Sequence, residues 1–133
     1  MADKNIDLNA LGQVMDTSFT RSSASSGPVL NVRSVKASFV PGEKLKVKVM
    51  YSCIVNMVRS RDIAESKAMY ENEGDSYIDA ASKQIVKEYK EITEDSIKLK
   101  RVDVGTSLEV VDLNVHNQKR SVLFRRIAFF EVG

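Results

Sequence analysis

The chain has 133 residues, of which 43% are hydrophobic and 29% are charged, and its formal net charge at pH 7 is +2. This length and composition are ordinary for one globular domain with a buried core. They exclude a membrane span, because no apolar run approaches about 18 residues. The polar start Met-Ala-Asp-Lys has no secretory h-region, and Cys53, the single cysteine, cannot form an intrachain disulfide. We therefore expect cytoplasmic synthesis and no membrane partner.

Residues 1–27 read as an N-terminal arm, because they end in a Ser-rich stretch that buries little apolar surface. Asp7 can cap a short helix that carries Leu8, Leu11 and Met15 at helical spacing. A helix this short is unstable alone in water. These three residues are predicted to lie in an apolar groove of a neighbouring chain, with a groove in their own domain as the alternative. Together with Phe19 they are assigned to a subunit interface.

A single domain is predicted over residues 28–133, and it begins with a hairpin. Residues 29–40 form the first strand, whose phase slips near Arg33 and Ser34, and Pro41-Gly42 marks the turn. The second strand spans about 44–55. Its alternation puts apolar residues on one face and lysines on the first half of the other.

The period then changes to that of a helix. Two helices are predicted, one from Ser60 or Asp62 to about Asn72 and one from Asp75 or Ser76 to about Ile92, with a break at Gly74. One long helix with a tolerated glycine is the alternative. Residues 60–95 hold ten acidic and five basic side chains, a local net charge of −5. The nine helical carboxylates considered as candidates for acid–base or cation chemistry are predicted to form a solvated face.

Three further strands are predicted at about 97–104, 107–115 and 121–132, with turns at Gly105-Thr106 and at residues 117–120. The last strand is apolar on both faces, so it is central in its sheet or its outer face meets another chain. Leu123, Ile127 and Phe129 are therefore added to the predicted subunit interface. The expected fold is α+β, a mostly antiparallel five-stranded sheet of order β-β-α-(α)-β-β-β with one or two helices on one face.

No catalytic, cofactor-binding or metal-binding motif is present. His116 is the only histidine and has no ligand cluster, so it reads as a surface residue. Cys53 lies on the apolar phase and reads as a buried hydrophobe. We expect no enzyme activity and no cofactor. A small-molecule or enzyme pocket between sheet and helices, lined by Tyr51 and Tyr89, is a third possibility.

A basic sheet face is predicted from side chains on three strands and the turns beside them. Such a face fits nucleic-acid phosphates, although the aromatic residues needed for stacking fall on the apolar phase instead. Nucleic-acid binding is therefore kept as the alternative function. The residues assigned to the face are Lys44, Lys46, Lys48, Lys98, Lys100, Arg125 and Arg126.

The leading hypothesis is a non-enzymatic structural subunit of a larger homo-oligomer or multi-protein assembly. It rests on the arm, on the doubly apolar last strand, and on the acidic helical layer opposite a basic sheet, which favours head-to-tail contacts. Small virion components, such as phage neck, tail or baseplate proteins, have this general character. Incorporation in a virion is one form of the hypothesis.

Overall fold

The fold is described from a computed structural model, which describes residues 6–18, 21–24, 32–56, 60–114 and 119–133. The predicted boundary between arm and domain, at residues 27 and 28, lies outside these ranges, as do Phe19 and His116. In chain order the elements are α1 (Leu8–Ser18), β1 (Arg21–Ala24), β2 (Val32–Val40), β3 (Lys46–Asn56), α2 (Ser60–Thr93), β4 (Leu99–Asn114) and β5 (Lys119–Val132).

The strands form one antiparallel sheet of order β1-β2-β3-β5-β4. β2 and β3 pair as the predicted hairpin, with Val40 opposite Lys46 across the Pro41-Gly42 connection. The helical segment separates this hairpin from the β4–β5 pair. The α+β class with an antiparallel sheet and two helices is therefore confirmed, whereas the predicted set of strands is not.

The predicted turn at Gly105-Thr106 is wrong. Gly105 and Thr106 pair with Ile127 and Arg126 of β5, inside one continuous strand of 16 residues. A turn here would leave the middle of the 14-residue β5 without a partner on that side. The two strands predicted at 97–104 and 107–115 are thus one strand, and β1, from the predicted arm, takes the remaining place in the sheet.

The predicted break at Gly74 is also wrong, and the alternative of one long helix is correct. α2 runs without interruption for 34 residues. It ends at Thr93, and the next residue, Glu94, adopts a φ of 66° and donates its N–H to the Lys90 carbonyl at 2.8 Å. That left-handed residue after the last turn is a common way for a helix to stop.

Both helices lie on one side of the sheet, called here the inner face. The predicted stripe of α2 is buried there at Ile78, Ala81, Ile85 and Tyr89, although Ile92 at the end of the helix is exposed. The sheet residues of the same core cluster alternate along β3 and β5, as the period of 2 predicts. They are Val47, Val49, Tyr51, Cys53, Phe124, Ala128 and Phe130.

Helix α1 belongs to the same core. The carboxylate of Asp7 accepts hydrogen bonds from the N–H groups of Asn9 and Ala10 at 3.0 and 3.2 Å, which confirms the predicted cap. The Asp7 N–H donates to the Tyr89 hydroxyl at 2.8 Å and so ties the start of α1 to α2. Leu11 is completely buried, a contribution of about 1.5–3 kcal/mol to folding.

The arm prediction therefore needs a correction. Leu11 and Met15 are buried in an apolar groove, but that groove is formed by their own chain. Leu8 points away from it and is 53% exposed. The predicted spacing holds for two of its three residues, since Leu11 and Met15 pack inward and Leu8 does not. Which chain supplies the groove depends on long-range packing that a local pattern does not specify.

Candidate protein interface

The outer face of the sheet, opposite the helices, is covered by none of the described elements. β3 and β5 lie side by side at its centre, where Met50 pairs with Ile127 and Ile54 pairs with Leu123. Phe129 lies two residues beyond Ile127 on β5, opposite Lys48. These five apolar side chains, named here the apolar strip (Met50, Ile54, Leu123, Ile127 and Phe129), are all half-buried by their neighbours alone.

Charged residues surround the apolar strip with both signs. Lys36, Lys46 and Lys48 lie on the β2–β3 side of the outer face, as their register with outer residues shows. Lys100 and Arg125 lie on the β4–β5 side, together with three acidic residues. These are Asp103, Glu109 and Glu131.

The predicted basic face is therefore only partly assembled. Lys46, Lys48, Lys100 and Arg125 do share the outer face, but acidic side chains stand among them. Arg125 pairs with Glu109 at 3.8 Å, and the loop residue Lys44 pairs with Glu131 at 3.9 Å. Lys98 precedes β4 and is exposed. Mixed charge of this kind suits another protein surface better than a row of phosphates.

Arg126 was assigned to the basic face, and that assignment is wrong. Its side chain points to the inner face, where it is 15% exposed and meets helix α2. The guanidinium donates to the Asp75 carboxylate at 2.8 and 3.3 Å, to Glu71 at 3.1 Å and to the Thr106 hydroxyl at 2.6 Å. The hydrogen bond that Arg126 donates to Asp75 raises the pKa of Arg126, so the guanidinium stays charged.

A second ion pair lies on the other side of Tyr51. Arg33 of β2 donates to the Glu73 carboxylate, and the Tyr51 hydroxyl donates to the same oxygen at 2.7 Å. Helix α2 is thus attached to the sheet through carboxylates at three positions in five residues. We name this set the carboxylate anchor (Glu71, Glu73 and Asp75). Their expected place on a solvated helix face is corrected accordingly.

Gly74 lies in the middle of the carboxylate anchor, and its position explains why the helix contains a glycine. A β-carbon built on Gly74 would stand 2.8 Å from the Arg126 Cβ and 2.9 Å from the Tyr51 Cδ2. Only a residue without a side chain lets the backbone approach the sheet this closely. That approach places carboxylates on both sides within reach of the two arginines.

The protonation states in this region suit attachment rather than catalysis. Burial raises the pKa of Tyr51 well above its ordinary range, so the phenol remains a hydrogen-bond donor. Burial likewise raises the pKa of the Cys53 thiol, which makes it a poor nucleophile. For Glu73, burial acts to raise the pKa, but hydrogen bonds from Arg33 and Tyr51 outweigh burial and lower it. Glu73 is therefore an ionised acceptor that receives both hydrogen bonds at its Oε1 atom.

A cleft of about 520 Å³ lies between α2 and the β4–β5 pair, near the start of β4. Neither Tyr51 nor Tyr89 lines it, so it is not the pocket considered from the sequence. Among the described residues, no group of three or more His, Cys, Asp or Glu side chains is arranged to hold a metal ion. The cleft is lined by Asp75, Ser76, Ile78, Asp79, Ser82, Leu99, Arg101 and Phe130.

Neither described helix has a stretch that is both long enough and apolar enough to cross a bilayer. Comparison of the chain with protein-family models, with curated proteins and with solved structures finds no significant match.

Sequence reasoning did not find the carboxylate anchor. The signal was present in part, because Glu71, Glu73 and Asp75 surround a helical glycine and the strands carry two inward-phase arginines. What was missing was the pairing of distant segments. Arg33 and Arg126 lie 40 and 51 positions from their principal helical partners.

Proposed function

We propose that this protein is a non-enzymatic structural subunit that joins other protein chains through the outer face of its sheet. The observation that carries the proposal is the apolar strip. These half-buried apolar side chains line the centre of a sheet face that no described element covers, and a contiguous, partly accessible apolar patch in a folded domain is typical of protein–protein contact.

The charges around the strip favour protein over nucleic acid as the partner. A phosphate backbone would require uniformly positive charge, whereas Asp103, Glu109 and Glu131 lie on the same face as the lysines. Because Arg126 points to the inner face, the outer face carries one cation fewer than predicted. Mixed signs around an apolar centre instead match the polar rim of a protein interface.

The structure weakens the case for a head-to-tail arrangement between an acidic helical layer and a basic sheet. Three of the ten carboxylates of residues 60–95 belong to the carboxylate anchor and face two arginines of the same chain. The acidic charge available to a neighbour is correspondingly smaller. The narrower idea of a phage neck, tail or baseplate component rests on the general character of the sequence alone.

Size-exclusion chromatography with light scattering tests the proposal. For the homo-oligomeric form, we expect the wild-type mass to exceed that of the 14.9 kDa chain. Ile127→Glu or Leu123→Glu should shift the midpoint of association to at least about tenfold higher concentration, because a charge buried in the interface costs several kcal/mol. Met69→Glu, at an exposed apolar position on α2, is the matched control. Circular dichroism and thermal unfolding verify that each variant folds.

A wild-type chain that stays monomeric at high concentration and low salt would contradict the homo-oligomeric form. Retention on heparin at low salt that is lost in Lys46→Glu/Lys48→Glu would instead favour nucleic-acid binding. In that case the affinity should fall steeply as salt increases.

A further inference from the structure

The edge strand β4 has a free side that is unusually fit for pairing. Among the described strands it has one neighbour, β5, whereas the opposite edge of the sheet is β1, with only four residues. Register irregularities lie between Arg101 and Asp103 and between Val110 and Asp112. Between them, residues 103–110 pair regularly with β5, so their other side is a straight, unpaired backbone template.

Apolar side chains are concentrated on the same strand. Val102, Val104 and Leu108 are 41%, 38% and 41% exposed, and they are three of the eight large apolar residues that are exposed in the described part of the chain. Val104 and Leu108 pair with Ala128 and Phe124, so they lie on the inner face. They extend the core surface beyond the cover of α2. The irregularities protect the two ends of β4, but residues 103–110 between them contain no proline and no inward-directed charge, which are two of the usual protections against strand pairing.

The charges along β4 identify the partner. The strand begins at Leu99 and carries Lys100 and Arg101 near its start, and its later part carries Glu109 and Asp112. In an antiparallel pair of identical strands, the basic start of each copy lies along the acidic end of the other. A parallel arrangement would place like charges side by side. Asp103 near the basic end and the ion pair of Glu109 with Arg125 moderate this pattern without reversing it.

We infer that β4 pairs antiparallel with β4 of a second copy of this chain, which joins two sheets into one continuous sheet of ten strands. The contact has two-fold symmetry, so the β4 edge of each copy is used and the assembly stops at a dimer. It brings Val104 and Leu108 of both copies together on the inner face, beside the core surface that α2 does not cover. The outer faces, with their apolar strips, then become one longer surface.

The closing experiment uses the full chain and measures mass by light scattering over a range of concentrations. The wild type should form dimers. Val104→Lys/Leu108→Lys should yield monomers with unchanged circular dichroism, because both positions are already exposed and inward-directed charges block edge pairing. Met69→Lys is the control and should remain dimeric.

A charge exchange tests the antiparallel orientation separately. The register that places Val104 opposite Leu108 of the other copy also places Lys100 near Asp112. Lys100→Glu alone should therefore weaken dimerisation by roughly tenfold or less, as expected for exposed pairs, and Lys100→Glu/Asp112→Lys should restore it. A monomeric wild type, or a dimer unaffected by Val104→Lys/Leu108→Lys, would overturn the inference. Association that is lost only in Ile127→Glu would overturn this inference and leave the proposed function in place. Association that is lost only in Val104→Lys/Leu108→Lys would support pairing through β4 and contradict contact through the outer face.

Discussion

The backbone of Gly74 lies against the side chain of Arg126, so closely that an added β-carbon would come within 2.8 Å of the Arg126 Cβ. This contact sets the distance between helix α2 and the sheet. It also brings Asp75 and Glu71 to the guanidinium of the same arginine. One close approach thus couples the packing of the two layers to their electrostatic attachment.

We expect Gly74→Ala to destabilise the fold by about 1–3 kcal/mol, because the new methyl group overpacks the layer between α2 and the sheet. This loss opposes the roughly 1 kcal/mol that alanine normally gains over glycine in a helix. Gly12→Ala in α1 is the matched control. Its β-carbon would meet only Phe39 at 3.8 Å, so it should stabilise by about 0.5–1 kcal/mol. Chemical denaturation measures both changes, and equal signs would contradict the packing argument.

Arg125 and Arg126 are adjacent in sequence, but Arg125 lies on the outer face of the sheet and Arg126 on the inner face. Arg126→Met should lower the free energy of unfolding by about 1–3 kcal/mol, because Asp75 loses its arginine donor and Glu71 keeps only the hydrogen bond from Thr106. Arg125→Met should change it by no more than about 0.5 kcal/mol, since its pair with Glu109 is long and largely exposed. Urea denaturation of the two variants at neutral pH makes the comparison. Similar losses for both would place Arg126 on the surface.

Glu73→Gln should cost about 1–3 kcal/mol at neutral pH, because it removes the charge that Arg33 and Tyr51 bind. The folded pKa of Glu73 lies below its ordinary value of 4.5, so the ionised group contributes stability above that pH. The contribution is lost as the pH falls through the folded pKa. The difference in unfolding free energy between wild type and variant should therefore shrink below about pH 4.5.

The exposed residue Glu65 on the same helix supplies the control. Glu65→Gln should produce little change in stability at any pH in this range. A constant difference for Glu73→Gln from neutral to acidic pH would show that the ionised carboxylate contributes nothing to the fold.

Cys53 should react slowly with a thiol reagent in the native protein and rapidly in denaturant, because burial raises the pKa of its thiol and excludes the reagent. A thiol at Ser52, which lies one position away on the outer face, is the comparison. Ser52→Cys in a Cys53→Ala background should react more than about tenfold faster, since Cys53 becomes accessible only through opening of the sheet. Absorbance after addition of a disulfide reagent measures both rates. Equal rates would mean that the inner face is open.

Local sequence patterns determined the α+β class, the β2–β3 hairpin, the cap at Asp7 and the buried stripe of α2. Each of these depends on a period of 2 or 3.6 or on a capping side chain, and such signals are contained within about ten residues. The same reasoning identified the apolar outer side of β5, at Leu123, Ile127 and Phe129. It also identified Leu11 and Met15 as residues that pack into a groove.

Only the tertiary structure decided what the exceptions to those patterns mean. Gly74 looked like a helix break, Gly105 like a turn, and Arg126 like part of a basic surface. In the fold, Gly74 makes room for Tyr51 and Arg126, Gly105 continues an edge strand, and Arg126 holds Asp75 from 51 positions away. The physical reason is that a glycine or an arginine has several low-energy uses, and the choice among them depends on contacts between distant parts of the chain.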